Sequence, residues 1–335
     1  MSDQLLNPQD LLTLAEDVLL RVGVSADNAA HVARALIAAE IDGLGSHGLA
    51  RLPFYADQAA SGKVNGQACP AVNCKGAVVY VDADAGFAYP AIRKGLDAGI
   101  KQARQSGISA VAIANSHHFG VAGHHVEDVA ARGLLALAFG NTPAAMAPWG
   151  GTTPLFGTNP IAFAAPRKEQ PPLVIDLSLS KVARGKIMLA DKRGERIPAN
   201  WALGADGQPT TDPKSALAGS MTPLGDAKGS ALALMVELLT AGLTGSNLAF
   251  EASSFFESDG DAPRVAQLFV LLDPAHFAGA DVFDSRLETL SSEITQQAGT
   301  RLPGEKRLKA RQAASEGVCV ADPLLKELHR RAGRC

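Results

Sequence analysis

Ser46-His47-Gly48 stands among closely spaced glycines (Gly43, Gly45, Gly48), with Arg51 four residues beyond the histidine. An imidazole titrates near neutrality and can give or take a proton, and a guanidinium can fork onto a carboxylate. If this stretch is helical, one turn brings His47 and Arg51 onto the same face. There the pair suits a 2-oxo or 2-imino acid, Arg51 for the carboxylate and His47 for the proton. A helix-terminal histidine beside a solvated arginine is the alternative. Asp176 ends the otherwise apolar run Leu173-Val174-Ile175-Asp176-Leu177. A carboxylate there needs a partner. It is either a strand-end turn residue or the group that holds a histidine's far nitrogen and fixes its tautomer.

Five of the eight histidines fall between residues 47 and 125, among them the pairs His117-His118 and His124-His125. Adjacent histidines point different ways on most backbones, and only Glu127 and Asp128 are near, so no metal site is assigned. Asn115-Ser116-His117-His118-Phe119-Gly120 instead follows an apolar run directly, and turns after strands are where α/β proteins hold ligands. Two basic stretches suit phosphates: Gly225-Asp226-Ala227-Lys228-Gly229-Ser230 at a helix start, and Arg301-Leu302-Pro303-Gly304-Glu305-Lys306-Arg307, with three cations in seven residues. Each such stretch is more often a solvated loop. No G-x-G-x-x-G opens a helix straight after a strand, the glycines at 43, 45 and 48 lying in a turn after a helix, and no G-x-x-x-x-G-K-[ST] is present, so a nicotinamide cofactor would have to be bound without the usual Rossmann fold.

The elements that must position these residues alternate in type. Apolar spacing predicts helices over 8–40 with Ser25 as an internal cap, over 90–106 closed by Gly107, over 126–132, 229–242 and 284–297, and over 321–331 at the end. Strands are expected at 78–82, 108–114, 134–139, 160–165, 173–177 and 266–272. Residues 181–222 read as a polar excursion and 251–264 as an acidic loop. Alternating strands and helices define an α/β protein.

With 335 residues, 47% hydrophobic and 19% charged, the chain can bury a large core and is too apolar for disorder. A net charge of -3 argues against nucleic acid as the main partner. No apolar run approaches the roughly 20 residues of a bilayer span, and the Met-Ser-Asp-Gln start has no signal-peptide pattern. A small-molecule role in the cytoplasm is expected, with Cys69, Cys74, Cys319 and Cys335 as free thiols.

Several stretches carry a family resemblance: Asp42 to Pro53 around Ser46-His47-Gly48, Asn115 to Gly120, Leu155-Phe-Gly-Thr158-Asn159-Pro160-Ile-Ala, Pro209 to Pro213, Gly225 to Leu232, Met235 to Gly245 and Arg301 to Gly304. Together, and in this order, they resemble the malate/L-lactate dehydrogenase family with the non-Rossmann nicotinamide fold, and within it the Δ1-piperideine-2-carboxylate/Δ1-pyrroline-2-carboxylate reductases. The resemblance implies an α/β fold with a large mixed sheet. It adds a helical domain from both chain ends (1–75 and 284–335) to a cofactor and catalytic domain (76–180 and 223–283), with 181–222 as a polar insertion. It implies His47 as proton donor with Ser46 and Asp176 as relay partners, and Arg51 and Thr158 at the substrate. For the cofactor it implies His117, His118, Phe119, Gly120 and Val121, then Asp176, Leu177 and Ser178, then Lys228, and the loop Arg301, Leu302, Pro303, Gly304, Glu305, Lys306 and Arg307.

The implied reaction is NADPH-dependent hydride transfer to C2 of a cyclic imino acid by a homodimer, giving L-proline or L-pipecolate, steps of proline metabolism and lysine degradation. A malate, lactate or other 2-hydroxy-acid dehydrogenase of the same family is the alternative. Lys306 and Arg307 favour NADPH for its 2′-phosphate, with NADH admitted. Two positions depart from the family pattern: Asp226 replaces a common glycine in the phosphate-side loop, and Trp149 replaces smaller residues, which would favour a flat ring if it lined the pocket.

Overall fold

The computed structural model describes residues 3–334. Strand β1 (Asp3–Leu6) leads into helices α1 (Pro8–Arg21) and α2 (Ala26–Ile41). Their first turns are capped by Asn7 Oδ1, which accepts from the Gln9 amide at 2.8 Å, and Ser25 Oγ, which accepts from the Asn28 amide at 3.4 Å. Two 3₁₀ turns, Gly45–His47 and Leu49–Arg51, precede α3 (Leu52–Ser61), so His47 and Arg51 do not share one α-helical turn. There follow β2 (Ala71–Lys75), β3 (Val78–Asp82), α4 (Ala88–Ser106), β4 (Ile108–Ser116), α5 (Ala122–Ala131), β5 (Leu135–Gly140), β6 (Ile161–Ala165) and β7 (Leu173–Leu177). The second half supplies α6 (Arg184–Arg193), β8 (Ala202–Leu203), α7 (Pro213–Ala218), β9 (Ser220–Met221) and α8 (Ala227–Glu237), whose end widens into a π turn at Leu238–Gly242. Then come β10 (Val265–Leu272), α9 (Ala280–Thr295), α10 (Glu305–Ala313), β11 (Val318–Ala321) and α11 (Asp322–Ala332).

The main sheet has the order β2-β3-β4-β10-β5-β6-β7, and of its pairings only β3 with β4 is parallel. It is the mixed sheet the resemblance implied. One face packs on α4 and α5 through Val111, Ile113, Phe269, Val126 and Val129. α4 lies so close that a Cβ on Gly99 would collide with the Val111 side chain. The other face is covered by residues of 181–222 and α8. Val182, Ile187, Ala202, Ala216, Met221, Ala233 and Val236 pack there against Phe139 and Leu268. The polar excursion is therefore polar only on its outer side. Its buried residues are spread singly among charges, which hid the apolar face from a reading by runs. A third core joins the two chain ends, where β1 pairs with β11 and α1, α2 and α3 bury Leu14, Val18, Leu36 and Tyr55 with Leu325 and Leu328.

Among the described residues Cys69, Cys74 and Cys319 are free, exposed thiols, while Cys335 lies outside them. No helix among the described residues is long and apolar enough to cross a membrane.

Candidate active site

Strand register decides what shares a place. Ser116 pairs with Val265, Gln267 with Gly140, Phe139 with Ile161, and Ile161 with Leu177. The ends of β4, β5 and β7 and the starts of β6 and β10 therefore form one rim of the sheet. That rim gathers the turn His117 to Val121, Thr158 before β6, and Asp176 to Ser178, three stretches far apart in the chain. Thr158 is set by two contacts, its amide donating to Thr142 Oγ1 at 3.0 Å and its carbonyl accepting from the Leu179 amide at 2.8 Å. Behind it, buried Glu237 accepts from Asn159 Nδ2 (2.8 Å), Asn141 Nδ2 (3.1 Å) and the Ala249 amide (2.6 Å). Burial raises the Glu237 pKa, and its three donors satisfy the carboxylate. Glu237 was not singled out from the sequence; one acid inside a strongly apolar helix was the available signal.

His47 joins the rim through His118, the two rings stacking at 5.7 Å and 28°. Ser46 Oγ lies 3.0 Å from His47 Nδ1, which leaves Nε2 for a substrate. Enclosure by protein, then the Arg51 charge and then His124, push the His47 pKa down to about 4. The resting imidazole is thus neutral at pH 7. Arg51 donates from Nε to the Ser46 carbonyl at 2.9 Å, while its buried Nη1 has no partner. A carboxylate arriving there satisfies an orphaned donor and cancels a charge that holds His47 neutral.

The four histidines of 117–125 each have a different partner. His117 Nε2 lies 2.8 Å from Gln58 Oε1, His118 Nδ1 2.6 Å from Tyr55 Oη, His124 Nε2 2.7 Å from Asp42 Oδ2 and His125 Nε2 2.8 Å from the Phe119 carbonyl. Burial, with the nearby charges of Lys63 and Arg51, pushes the His117 pKa down to about 3, and His118 is also strongly lowered.

Asp176 is placed differently from a direct relay. Its Oδ2 accepts from the Gly123 amide at 2.7 Å, in the first turn of α5, and its other neighbours are Arg307 and His124. No hydrogen bond joins Asp176 to His47 among the described residues, whereas Ser46 is in contact with His47 as expected. Enclosure raises the Asp176 pKa, opposed by the Gly123 amide and the Arg307 charge. A Cβ on Gly123 would fall 2.7 Å from Arg307 Nη1 and 2.9 Å from Asp176 Oδ2.

The loop 301–307 reaches the same place from the chain's far end. Gly304 lies beside the Val174 carbonyl, and the Leu302 amide donates to Glu305 Oε1 at 2.7 Å. The Arg307 guanidinium faces Asp42 (3.4 Å) and Glu127 (3.6 Å), the carboxylates that Arg311 also forks, while its Nε makes no hydrogen bond among the described residues. Of the three cations of this loop Arg301 and Lys306 are exposed and Arg307 is partly buried. Lys228 is exposed at the start of α8, on a segment tied alongside 179–181 by the Leu224 and Lys181 amides. Asp226 turns its carboxylate to Lys181 at 3.7 Å, and the side chain of Trp149 is largely solvent-exposed.

One feature escaped the sequence reading. α6 begins against the Ser46-His47 turn, where a Cβ on Gly185 would sit 3.6 Å from Ser46 Cβ. Its N-cap, Ala183, has no capping side chain, and its first three residues are Arg184-Gly185-Lys186. Half-buried Arg184 donates to the Leu217 carbonyl at 3.1 Å and faces no carboxylate among the described residues. Two cations flanking a glycine at an uncapped helix start were the overlooked signal.

A nicotinamide dinucleotide suits these residues. Buried Ser116 Oγ and His117 Nδ1 lack partners at the rim among the described residues, and Lys228, Arg301 and Lys306 are exposed cations. The comparisons with known proteins agree. The chain is 57% identical over 316 residues, 94% of each chain, to the (2R)-3-sulfolactate dehydrogenase (NADP(+)) of Chromohalobacter salexigens. It is 40% identical over 322 residues, 95% of this chain and 94% of the other, to the Δ1-pyrroline-2-carboxylate/Δ1-piperideine-2-carboxylate reductase of Pseudomonas putida. The structure superposes on the Δ1-piperideine-2-carboxylate reductase of Pseudomonas syringae pv. tomato with a TM-score of 0.92 at 38% identity, covering 98% of this chain and 99% of that one. It superposes on the sulfolactate dehydrogenase of Methanocaldococcus jannaschii with a TM-score of 0.91 at 30% identity and 98% of both. A family model described as malate/L-lactate dehydrogenase matches residues 6–329, and the chain belongs to that family of oxidoreductases.

Proposed function

We propose that the protein is an NADP-linked dehydrogenase that interconverts a 2-hydroxy acid bearing a second anionic group, 3-sulfolactate foremost, with its 2-oxo acid. The observation that carries this reading is the uncapped start of α6, Arg184-Gly185-Lys186, set against Ser46 beside His47. A substrate with one carboxylate uses Arg51 and leaves that positive end idle. A substrate with a carboxylate and a sulfonate uses both. The sulfolactate activity of the similar Chromohalobacter enzyme supports the same choice.

In this reading Arg51 binds the carboxylate and Thr158 lies alongside. Neutral His47, held by Ser46 at Nδ1, takes the proton of the C2 hydroxyl during oxidation and returns it during reduction. A nicotinamide cofactor, when bound, would supply the hydride chemistry at C2. The turn 117–121, Asp176 to Ser178, Lys228 and the loop 301–307 would hold it, with Asp176 ordering the start of α5 and Arg301 and Lys306 available as cations for its 2′-phosphate. Burial of His117, His118 and Phe119 keeps the pocket floor dry. Reduction of cyclic imino acids is the second reading, favoured by the reductases of Pseudomonas putida and Pseudomonas syringae.

Initial rates followed by NADPH absorbance separate the two. 3-Sulfolactate with NADP+, and 3-sulfopyruvate with NADPH, are compared with pyrroline-2-carboxylate, piperideine-2-carboxylate, oxaloacetate and pyruvate. The expected result is a kcat/KM at least ten-fold higher for sulfopyruvate than for any other substrate reduced. A pyrroline- or piperideine-carboxylate value above it replaces the proposal with imine reduction.

A further inference from the structure

The acidic loop 251–264 has a second character that its composition conceals. Lys63 is almost fully buried, and its ammonium donates to three carbonyls of that loop, Ser254 at 2.9 Å, Glu257 at 3.0 Å and Asp259 at 2.8 Å. All three donors of the ammonium are used on one short stretch of backbone, so Lys63 acts as an internal cation around which the loop folds. α3 adds two more ties, Gln58 Nε2 to the Glu257 carbonyl at 3.0 Å and Ser61 Oγ to the Ser258 carbonyl at 2.7 Å. The clamp is out of proportion to an exposed polar loop. What it fixes in place is two aromatic rings.

Phe255 packs on His117 and His118 with ring centroids 5.0 and 5.2 Å away. Phe256 lies under Arg51, its centroid 4.4 Å from the guanidinium carbon, and is itself braced edge-on by Phe54 at 5.5 Å and 84°. Arginine has many rotamers, and binding a carboxylate costs the entropy of holding one of them. Here that cost is met before substrate arrives. Nε is tied to the Ser46 carbonyl, one face of the guanidinium lies on the Phe256 ring, and Nη1 is left without a partner.

Building on the reading of Arg51 as the carboxylate site, we propose that Phe256 is a positioning residue that sets substrate affinity: clamped by Lys63, its ring holds the Arg51 guanidinium so that the free Nη1 edge meets the substrate carboxylate in plane. A cation on an aromatic face is stabilised by the ring quadrupole, more so when partly desolvated. The effect belongs to binding rather than to proton or hydride transfer, so it moves KM and leaves kcat.

The test uses oxamate, a planar 2-oxo-acid mimic, titrated calorimetrically into the NADPH-loaded enzyme, alongside steady-state rates with the best 2-oxo acid. Phe256→Leu keeps apolar bulk and removes the π face. It is expected to weaken oxamate binding and raise the 2-oxo-acid KM by about 5- to 30-fold, with kcat within two-fold and the KM for NADPH unchanged. Phe256→Tyr keeps the parent values, and Lys63→Met, which frees the loop, reproduces the rise. Oxamate binding by Phe256→Leu within two-fold of the parent overturns the proposal, as does a fall in kcat at constant KM. Should Phe256→Leu not fold, Phe256→Met serves under the same criteria. Because oxamate carries only the carboxylate common to all 2-oxo acids, this outcome does not depend on whether sulfopyruvate is the preferred substrate.

Discussion

His47 works in a setting that disfavours its charged form, and this gives the two candidate chemistries different sensitivities to its loss. A ketone must have its developing alkoxide protonated as hydride arrives, whereas a cyclic imine can enter already protonated at nitrogen. His47→Ala is therefore expected to lower kcat for 2-oxo-acid reduction by about 10²- to 10⁴-fold and to lower imine reduction much less. Equal losses for sulfopyruvate and pyrroline-2-carboxylate, measured on one preparation, would refute the proton-donor role assigned here. Ser46 sits in the position a tautomer-setting partner needs. Asp176 instead holds the start of α5 through the Gly123 amide and makes no hydrogen bond to His47 among the described residues. Type and spacing marked the histidine and arginine as candidates for one site. Their backbone was not legible, because two 3₁₀ turns broken at Gly48 replace the single helical turn that the spacing suggested.

Among the elements, α10 depends most on a few charges. Asp42, at the end of α2, and Glu127, in α5, are forked by Arg311 and approached by Arg307. Burial pushes the Asp42 pKa up, but the His124 and Arg311 contacts outweigh it and hold the carboxylate ionised. Removing one member of such a group strands the others. Asp42→Ala should cost about 3 kcal/mol of stability and, because the loop 301–307 leads directly into α10, raise the KM for NADPH. A parent-like urea midpoint with an unchanged NADPH KM would contradict this account. None of it was visible in the chain, since Asp42, Glu127 and Arg311 are ordinary surface-type residues until three distant segments meet. α8 presents the opposite case. Its apolarity was evident in sequence, yet the fold leaves Leu232 on α8, and Leu238, Leu243 and Phe250 beyond it, 41–65% exposed. The homodimer that the family resemblance implies would have use for such exposed apolar side chains. If it is formed through them, Leu238→Asp with Leu243→Asp converts a dimer to a monomer in sedimentation velocity; a parent protein that sediments as a monomer at micromolar concentration contradicts the expectation.

At the scale of the whole molecule, a set of neutral buried histidines makes stability depend on acid. His117 and His125 have folded pKa values near 3 and 4, lowered chiefly by burial, against about 6.5 in the unfolded chain. The unfolded state binds their protons first. Their contribution is thus complete above pH 6.5 and is lost as pH falls through the window between 6.5 and the folded values. Each removes about 2 kcal/mol by pH 5. The thermal midpoint should drop markedly between pH 7.5 and 5, and a flat profile over that range would show these rings to be protonated in the folded state.

Local sequence was enough to place nearly every long helix and central strand, because apolar period, capping residues and glycine stops act over a few residues. It also exposed the Ser46-His47-Arg51 stretch, the turn after β4 and the cation-rich loop as places for chemistry. Tertiary structure alone decided what meets there, since strand register is what brings the ends of β4, β5 and β7 to a common rim. It likewise decided that Arg307 faces two carboxylates, that α6 opens against Ser46, and that Phe256, on the loop held by Lys63, lies beneath Arg51. Each of these joins groups tens to hundreds of residues apart, and such pairings come from packing of the whole chain, on which local periodicity carries no information.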